Sequence, residues 1–136
     1  MRVLILCTGN SARSQMAEGL LRSMADEGST IASAGTRPVG LNPLAVQAMQ
    51  EVGIDISGQR SKSVAEFEGQ RFDTVITVCD SAAQECPIFP GATKRVHWSL
   101  PDPAAAQGSI EERLAAFRAV REQLAGHFRD FIASQL

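Results

Sequence analysis

The chain has no tyrosine and a single tryptophan, Trp98, so an aromatic platform for a ligand has few residues to draw on. It has three cysteines, Cys7, Cys79 and Cys86, with no C-x-x-C pair among them, and two histidines, His97 and His127, far apart. That pattern argues against a zinc site. An odd cysteine count in a reducing compartment argues against a disulfide framework. Core thiols, catalysis and redox chemistry remain open for these cysteines. No polybasic run or acidic tail is present, and the net charge is −2, so no nucleic-acid surface is expected. The longest apolar run near the start, Val3–Cys7, is too short for a signal peptide or a membrane span, and a cytoplasmic protein with no membrane contact is expected.

What is present is the material of one domain. At 136 residues with 44% apolar content, the chain can bury a core without disulfides or metals. Short apolar strands alternate with helical stripes. Arg2–Leu6 reads as a buried strand, followed from about Ser14 by Met16, Ala17, Leu20, Leu21 and Met24 at helical spacing, with Gly28 as the stop. Thr30–Ala34 is a second strand ending at Gly35, and Arg37–Leu41 a Pro- and Gly-containing loop. Asn42-Pro43 is an N-cap followed by proline at the first helical position, with Ala45, Ala48, Met49 and Val52 continuing the stripe. A short helix is expected near Val64–Glu68 and a strong strand over Phe72–Val78. Asp80–Pro90 reads as loop, and Arg95–Trp98 as a fourth short strand. Pro101-Asp102-Pro103 is expected to be non-helical, since residues before proline avoid the α region. Ser109 and Glu112 form a capping box. It opens a long helix whose stripe is Ile110, Leu114, Phe117, Val120, Leu124, Phe128 and Phe131.

Alternation of this kind predicts an α/β fold: a parallel sheet with helices on both faces, its functional crevice beyond the carboxyl ends of the strands. Cys7 and Cys79 each follow a strand, so both belong to that edge. The stretch CTGNSARS places a thiol, a turn of small and polar residues and a guanidinium between a strand and a helix. A loop entering a helix aims its amides inward, and the helix adds partial positive charge. Gly9 and Asn10 permit unusual backbone, and Arg13 offers a fork matched to two oxygens of a tetrahedral anion. The same field lowers the pKa of Cys7, and Ser14 is placed to donate to its sulfur. One loop, Thr8, Gly9, Ser11, Ala12 and their neighbours included, would bind an oxyanion and ionise the attacking thiol.

CTGNSARSQMAEG resembles the active-site loop of the low-molecular-weight protein tyrosine phosphatase fold and, within it, of the arsenate reductases coupled to thioredoxin. SAGT at Ser33–Thr36, NPLAVQAM at Asn42–Met49, GIDIS at Gly53–Ser57, VITVCD at Val75–Asp80, CPIFPG at Cys86–Gly91, His97-Trp98 and Asp102-Pro103 carry the resemblance along nearly the whole chain. It implies a single-domain three-layer sandwich on a four-stranded parallel sheet of order 2-1-3-4. It further implies that Cys7 attacks arsenate held by the loop from Thr8 to Ser14, and that Asp102 is the general acid. Cys79 and then Cys86 would resolve the adduct, and thioredoxin would take the final disulfide. No bound cofactor is implied, phosphate and sulfate would compete with arsenate, and a monomer is expected. The relay requires Asp80–Glu85 to fold back between the two cysteines, so this segment is expected to change conformation with redox state.

Departures from the family are informative. Many relatives carry a cysteine where Ala12 stands, so no disulfide can form within this loop. Some relatives bind potassium with groups matching Asn10, Glu18, Ser33 and an aspartate; Lys62 stands at the aspartate's position, where its ammonium would replace the ion. Phosphatases of the fold usually carry aromatic residues after the Asp-Pro pair, whereas Ala104-Ala105-Ala106 follows here and favours a small inorganic oxyanion. The competing readings are a phosphatase with incidental Cys79 and Cys86, a non-catalytic oxyanion sensor, and reduction by a small thiol. His97 and Trp98 are assigned to packing and His127 to an exposed helix face.

Overall fold

A computed structural model describes residues 1–79 and 88–135. Four strands, β1 (Arg2–Cys7), β2 (Thr30–Gly35), β3 (Phe72–Thr77) and β4 (Ala92–His97), form one parallel sheet in the order β2-β1-β3-β4. Three helices, α1 (Arg13–Met24), α2 (Pro43–Gln50) and α3 (Ile110–Ser134), and two 3-10 turns, Val64–Phe67 and Pro103–Ala105, complete the described architecture. The α/β class and strand order expected from the sequence are those observed; among the described residues α1, α2 and α3 all pack on one face of the sheet, and the 3-10 turn Val64–Phe67 covers the other.

Side chains alternate across a strand, so β1 feeds two cores. Val3 and Ile5 face a large cluster that collects Met16, Leu20 and Leu21 of α1, Ala45, Ala48 and Met49 of α2, and Leu114, Phe117, Leu124 and Phe128 of α3. Leu4 and Leu6 face a smaller cluster with Phe72, Val75 and Phe89, covered by Val64 and Phe67 of the first 3-10 turn. Val3 to Leu6 are completely buried, as a central strand of a two-sided sheet requires.

The caps form as the sequence suggests. The Asn42 side chain accepts from Leu44 N at 2.8 Å with Pro43 next to it, and Ser109 and Glu112 bond reciprocally. Ile110 departs from the expected core stripe: as the first residue of α3 it is 59% exposed. β4 begins three residues earlier than its apolar pattern suggested. Its register is fixed by backbone pairing of Ala92 with Phe72, and as an edge strand its Thr93, Lys94 and Arg95 need not be apolar. The stretch Pro101–Pro103 is extended up to Asp102, but Pro103 then opens a short 3-10 turn that Asp102 caps.

His127 is not the free surface residue expected. Its ring stacks on Trp98 with centroids 4.6 Å apart and planes 11° from parallel, while Phe128 meets the indole edge-on at 5.0 Å. This aromatic cluster pins the exit of β4 to α3. Arg118 and Arg121 of α3 grip Glu51 at the end of α2, and that carboxyl is held down to about 2 by the Arg118 hydrogen bond first and by Arg121.

Candidate active site at the carboxyl edge of the sheet

β1 ends at Cys7 in register with Gly35 of β2, and Leu6 is in register with Thr77 of β3. Val78 N donates to Leu6 O at 3.0 Å, extending the pairing by one residue. Cys79 then turns inward, fully buried, with its Sγ 4.0 Å from Leu6 O, the carbonyl that leads into Cys7. Cys7 and Cys79 share one buried cluster.

The loop from Thr8 to Ala12 has its carbonyls tied outward. Thr8 O accepts from Arg37 N at 2.9 Å, Gly9 O from Val39 N at 3.1 Å and from Ser61 Oγ at 3.2 Å. Asn10 O accepts from Gln15 Nε2 at 3.0 Å, and Ser11 O from Asn42 N at 3.0 Å. Ala12 O takes the first helical bond, from Met16 N. Fixing every carbonyl outward turns amides inward. Those of Gly9, Ser11 and Ala12 have no intramolecular acceptor among the described residues. The start of α1 is buried, has no side-chain cap and has no acid in its first turn. Uncapped, positively polarised helix amides of this kind are the usual binding place of an oxyanion. Thr8 Oγ1 is the buried side-chain polar atom that lacks a partner among the described residues, and it belongs to this loop.

Asn10 holds the turn. Among the described residues it is the non-glycine residue with a positive φ, 45°, in the left-handed region that Asn tolerates best after Gly. Its amide orientation follows from its neighbours. Lys62 N–H, which can only donate, reaches Asn10 Oδ1 at 2.8 Å. Nδ2 therefore faces Ser14 Oγ at 2.8 Å and Ser33 Oγ at 2.9 Å and donates to both. Ser14 already accepts from Asn10, so its hydroxyl proton is free for Cys7 Sγ, 2.8 Å away. Asn10 N adds a second donor to the same sulfur at 3.2 Å. Ser14 Oγ and Asn10 N thus converge on the Cys7 sulfur.

Arg13 is 4% exposed, and its Nη1 donates to Leu100 O at 3.1 Å. Its Nη2 stands 4.0 Å from Asp102 Oδ2, whose side chain is 37% exposed. The other Asp102 oxygen accepts from Ala104 N at 3.0 Å. The carboxylate is thus carried on the rim beside the guanidinium.

Behind the loop, Glu18 is nearly fully buried. It accepts from Ser33 Oγ at 2.6 Å and pairs with Arg22 at 3.0 Å. Lys62 Nζ lies 3.6 Å from Glu18 Oε1 and donates to Arg60 O at 2.8 Å. Burial pushes the Lys62 pKa down, against the Glu18 charge that raises it. His97 sits at the end of β4 with Nδ1 2.7 Å from Thr77 Oγ1. Cys86 and the segment Asp80–Glu85 lie outside the described residues.

The structure brings Cys7, the loop, Arg13, Asp102 and Cys79 to one edge of the sheet. Sequence reasoning did not single out Gln15, Ser61, Leu100 or the amides of Arg37, Val39 and Asn42, which hold the loop from outside. Of these only the turn-rich run after Gly35 carries a readable signal. Backbone amides have no sequence signature.

The model of the low molecular weight phosphotyrosine protein phosphatase family matches residues 2–136. The arsenate reductase of Bacillus subtilis (strain 168) is 46% identical over 129 residues, covering 95% of this chain and 93% of that protein. A solved structure described as an arsenate reductase in the phosphate binding state superposes with a TM-score of 0.83 at 33% identity, covering 98% of this chain and 97% of the other. A thioredoxin-dependent arsenate reductase from Corynebacterium glutamicum superposes at 0.73 with 27% identity, covering 98% of this chain and 60% of that one. With a match running from the second residue to the last, and with thiol, loop and guanidinium assembled as described, this chain belongs to the low molecular weight phosphotyrosine protein phosphatase family.

Proposed function

We propose that this protein reduces arsenate to arsenite, with Cys7 as nucleophile and Cys79 as the first resolving thiol. The observation that carries this reading is the position of Cys79 Sγ against the Leu6 carbonyl, the group that precedes Cys7 in the chain, within the same buried cluster as Cys7. A hydrolase needs the loop, Cys7, Arg13 and an acid, but has no use for a second buried thiol at that point.

Arsenate enters the loop against the amides of Thr8–Ser14 and Arg13. The Cys7 thiolate attacks arsenic, a sulfur–arsenic bond forms, and Asp102 gives a proton to the departing oxygen. Cys79 thiolate then attacks Cys7 Sγ. The sulfur–arsenic electron pair stays with arsenic, which falls from the +5 to the +3 state and leaves as arsenite. Cys86 attacks Cys79, returning Cys7 to its thiolate. The Cys79–Cys86 disulfide is finally reduced by the dithiol of thioredoxin, which itself becomes the disulfide. Each exchange needs a thiolate with access to the sulfur it attacks. The protein carries no bound cofactor in this scheme and acts as a cytoplasmic monomer where reduced thioredoxin is available. Phosphate and sulfate compete for the loop.

The test is NADPH consumption with arsenate, thioredoxin and thioredoxin reductase. Arsenate-dependent consumption is expected from the wild type. Anion binding without turnover in that mixture would overturn the reading in favour of an oxyanion sensor. Turnover with a small thiol alone would overturn the thioredoxin step.

We also propose that the Lys62 ammonium takes the place of a monovalent cation beside Glu18, Ser33 and Asn10. Its Nζ supplies the positive charge next to the buried carboxylate. Thermal melting is therefore expected at the same temperature in potassium and in sodium salts. A midpoint raised by potassium alone would refute the substitution.

A further inference from the structure

We propose that Arg37 is a steering residue that draws the oxyanion into the loop; this rests on the oxyanion reading above and adds a residue to it. After β2 the chain runs along the outer edge of the loop, Arg37 N bonding Thr8 O and Val39 N bonding Gly9 O. Arg37 therefore stands beside the catalytic turn, fixed by its backbone and exposed in its side chain.

The other cations around the loop are committed. Arg13 is buried and holds Leu100 O and Asp102. Arg60, next to the Ser61 that bonds Gly9 O, is gripped by both oxygens of Glu66. Lys62 is held by Glu18 and by Arg60 O. Arg37 makes no ion pair and no side-chain hydrogen bond among the described residues. It is an uncompensated charge on a chain of net charge −2, which otherwise repels a dianion. With the Arg37 backbone bonded to the loop at 2.9 Å, its charge is carried at the loop's edge, on the scale of the Debye length of about 8 Å at physiological salt. Such charges raise the rate of encounter without being consumed in the ground state.

The substrate-independent probe is alkylation of Cys7, followed by peptide mapping, with iodoacetate and with iodoacetamide. The two reagents are similar in size and differ in charge. At low salt, the iodoacetate-to-iodoacetamide rate ratio is expected to fall about twofold in Arg37→Gln and about fourfold in Arg37→Glu. Arg37→Lys should keep the parental ratio. About 0.5 M salt should erase the differences. With arsenate as substrate, kcat/KM should fall in Arg37→Glu while kcat holds. Equal ratios in all four proteins would overturn the proposal, as would an equal slowing of both reagents, which reports a displaced loop. Alkylation needs no arsenate chemistry, so failure of arsenate turnover and failure of steering read out separately.

Discussion

Cys79→Ser is expected to abolish thioredoxin-linked arsenate turnover while leaving hydrolysis of a small aryl phosphate intact. The serine fits the space, and its hydroxyl can donate to Leu6 O, the carbonyl the sulfur now faces at 4.0 Å. What it cannot do is attack a sulfur–arsenic adduct at Cys7, because an alcohol at neutral pH supplies no sulfur nucleophile for exchange. In the proposed mechanism hydrolysis of an aryl ester needs only Cys7, the loop, Arg13 and Asp102, and the substitution replaces none of them. NADPH oxidation falling to the arsenate-free baseline, alongside unchanged aryl-phosphate turnover and an unchanged melt, is the expected set. Persistent arsenate turnover would place the electrons on another route, and loss of both activities would mean that Cys79 supports the loop rather than the relay.

Gly35→Ala is expected to cost at least about a hundredfold in both activities. Gly35 has an ordinary negative-side backbone, so alanine is not refused for its φ. It is refused for space: its Cβ would stand 2.4 Å from Thr8 O, 2.9 Å from Asn10 N and 3.1 Å from Asn10 Cβ. Two of those atoms are backbone of the loop, so relief can come only by moving the loop or the strand. The strand is held on its other side, where Gly35 N donates to Lys62 O at 2.9 Å and Gly35 pairs with Ser63. The loop must yield, and a displacement of about 1 Å at such a site costs roughly a hundredfold in rate. Overpacking of this kind also lowers stability by about 1–3 kcal/mol. Phosphate titration, aryl-phosphate kinetics and thermal melting check it together; a variant with parental kinetics would show that the contact is slack.

Much of this arrangement is legible in the sequence. The strand ending on Cys7, the Asn42-Pro43 start, the Ser109–Glu112 box and the stripe from Leu114 to Phe131 each carry a local physical signal, and each lies where that signal put it. β4 was misplaced because an exposed edge strand has no apolar alternation to read. His127 was misassigned because stacking on Trp98 joins residues 98 and 127 across the fold, and no spacing rule reaches that far. Cys7, Arg13 and Asp102 stand out in the sequence as residue types in special turns, and the structure places them at one edge of the sheet. The clamps on the loop were not, since they are amides of Arg37, Val39, Asn42 and Lys62, available in almost any sequence and made specific only by tertiary placement. Gly35 sits between the two cases: a run of small residues hints at close approach, but the partner is visible only in three dimensions.

The central position of β1 has a consequence for biosynthesis. The amino-terminal strand reaches its final neighbours only when β2 and β3 flank it, and Asn10 is oriented only when Lys62 arrives. On the ribosome the Cys7 sulfur is thus the earliest of the three to emerge, well before its surroundings are set. Until the polypeptide has been made through Lys62, the turn that brings Ser14 Oγ and Asn10 N to that sulfur lacks its anchor.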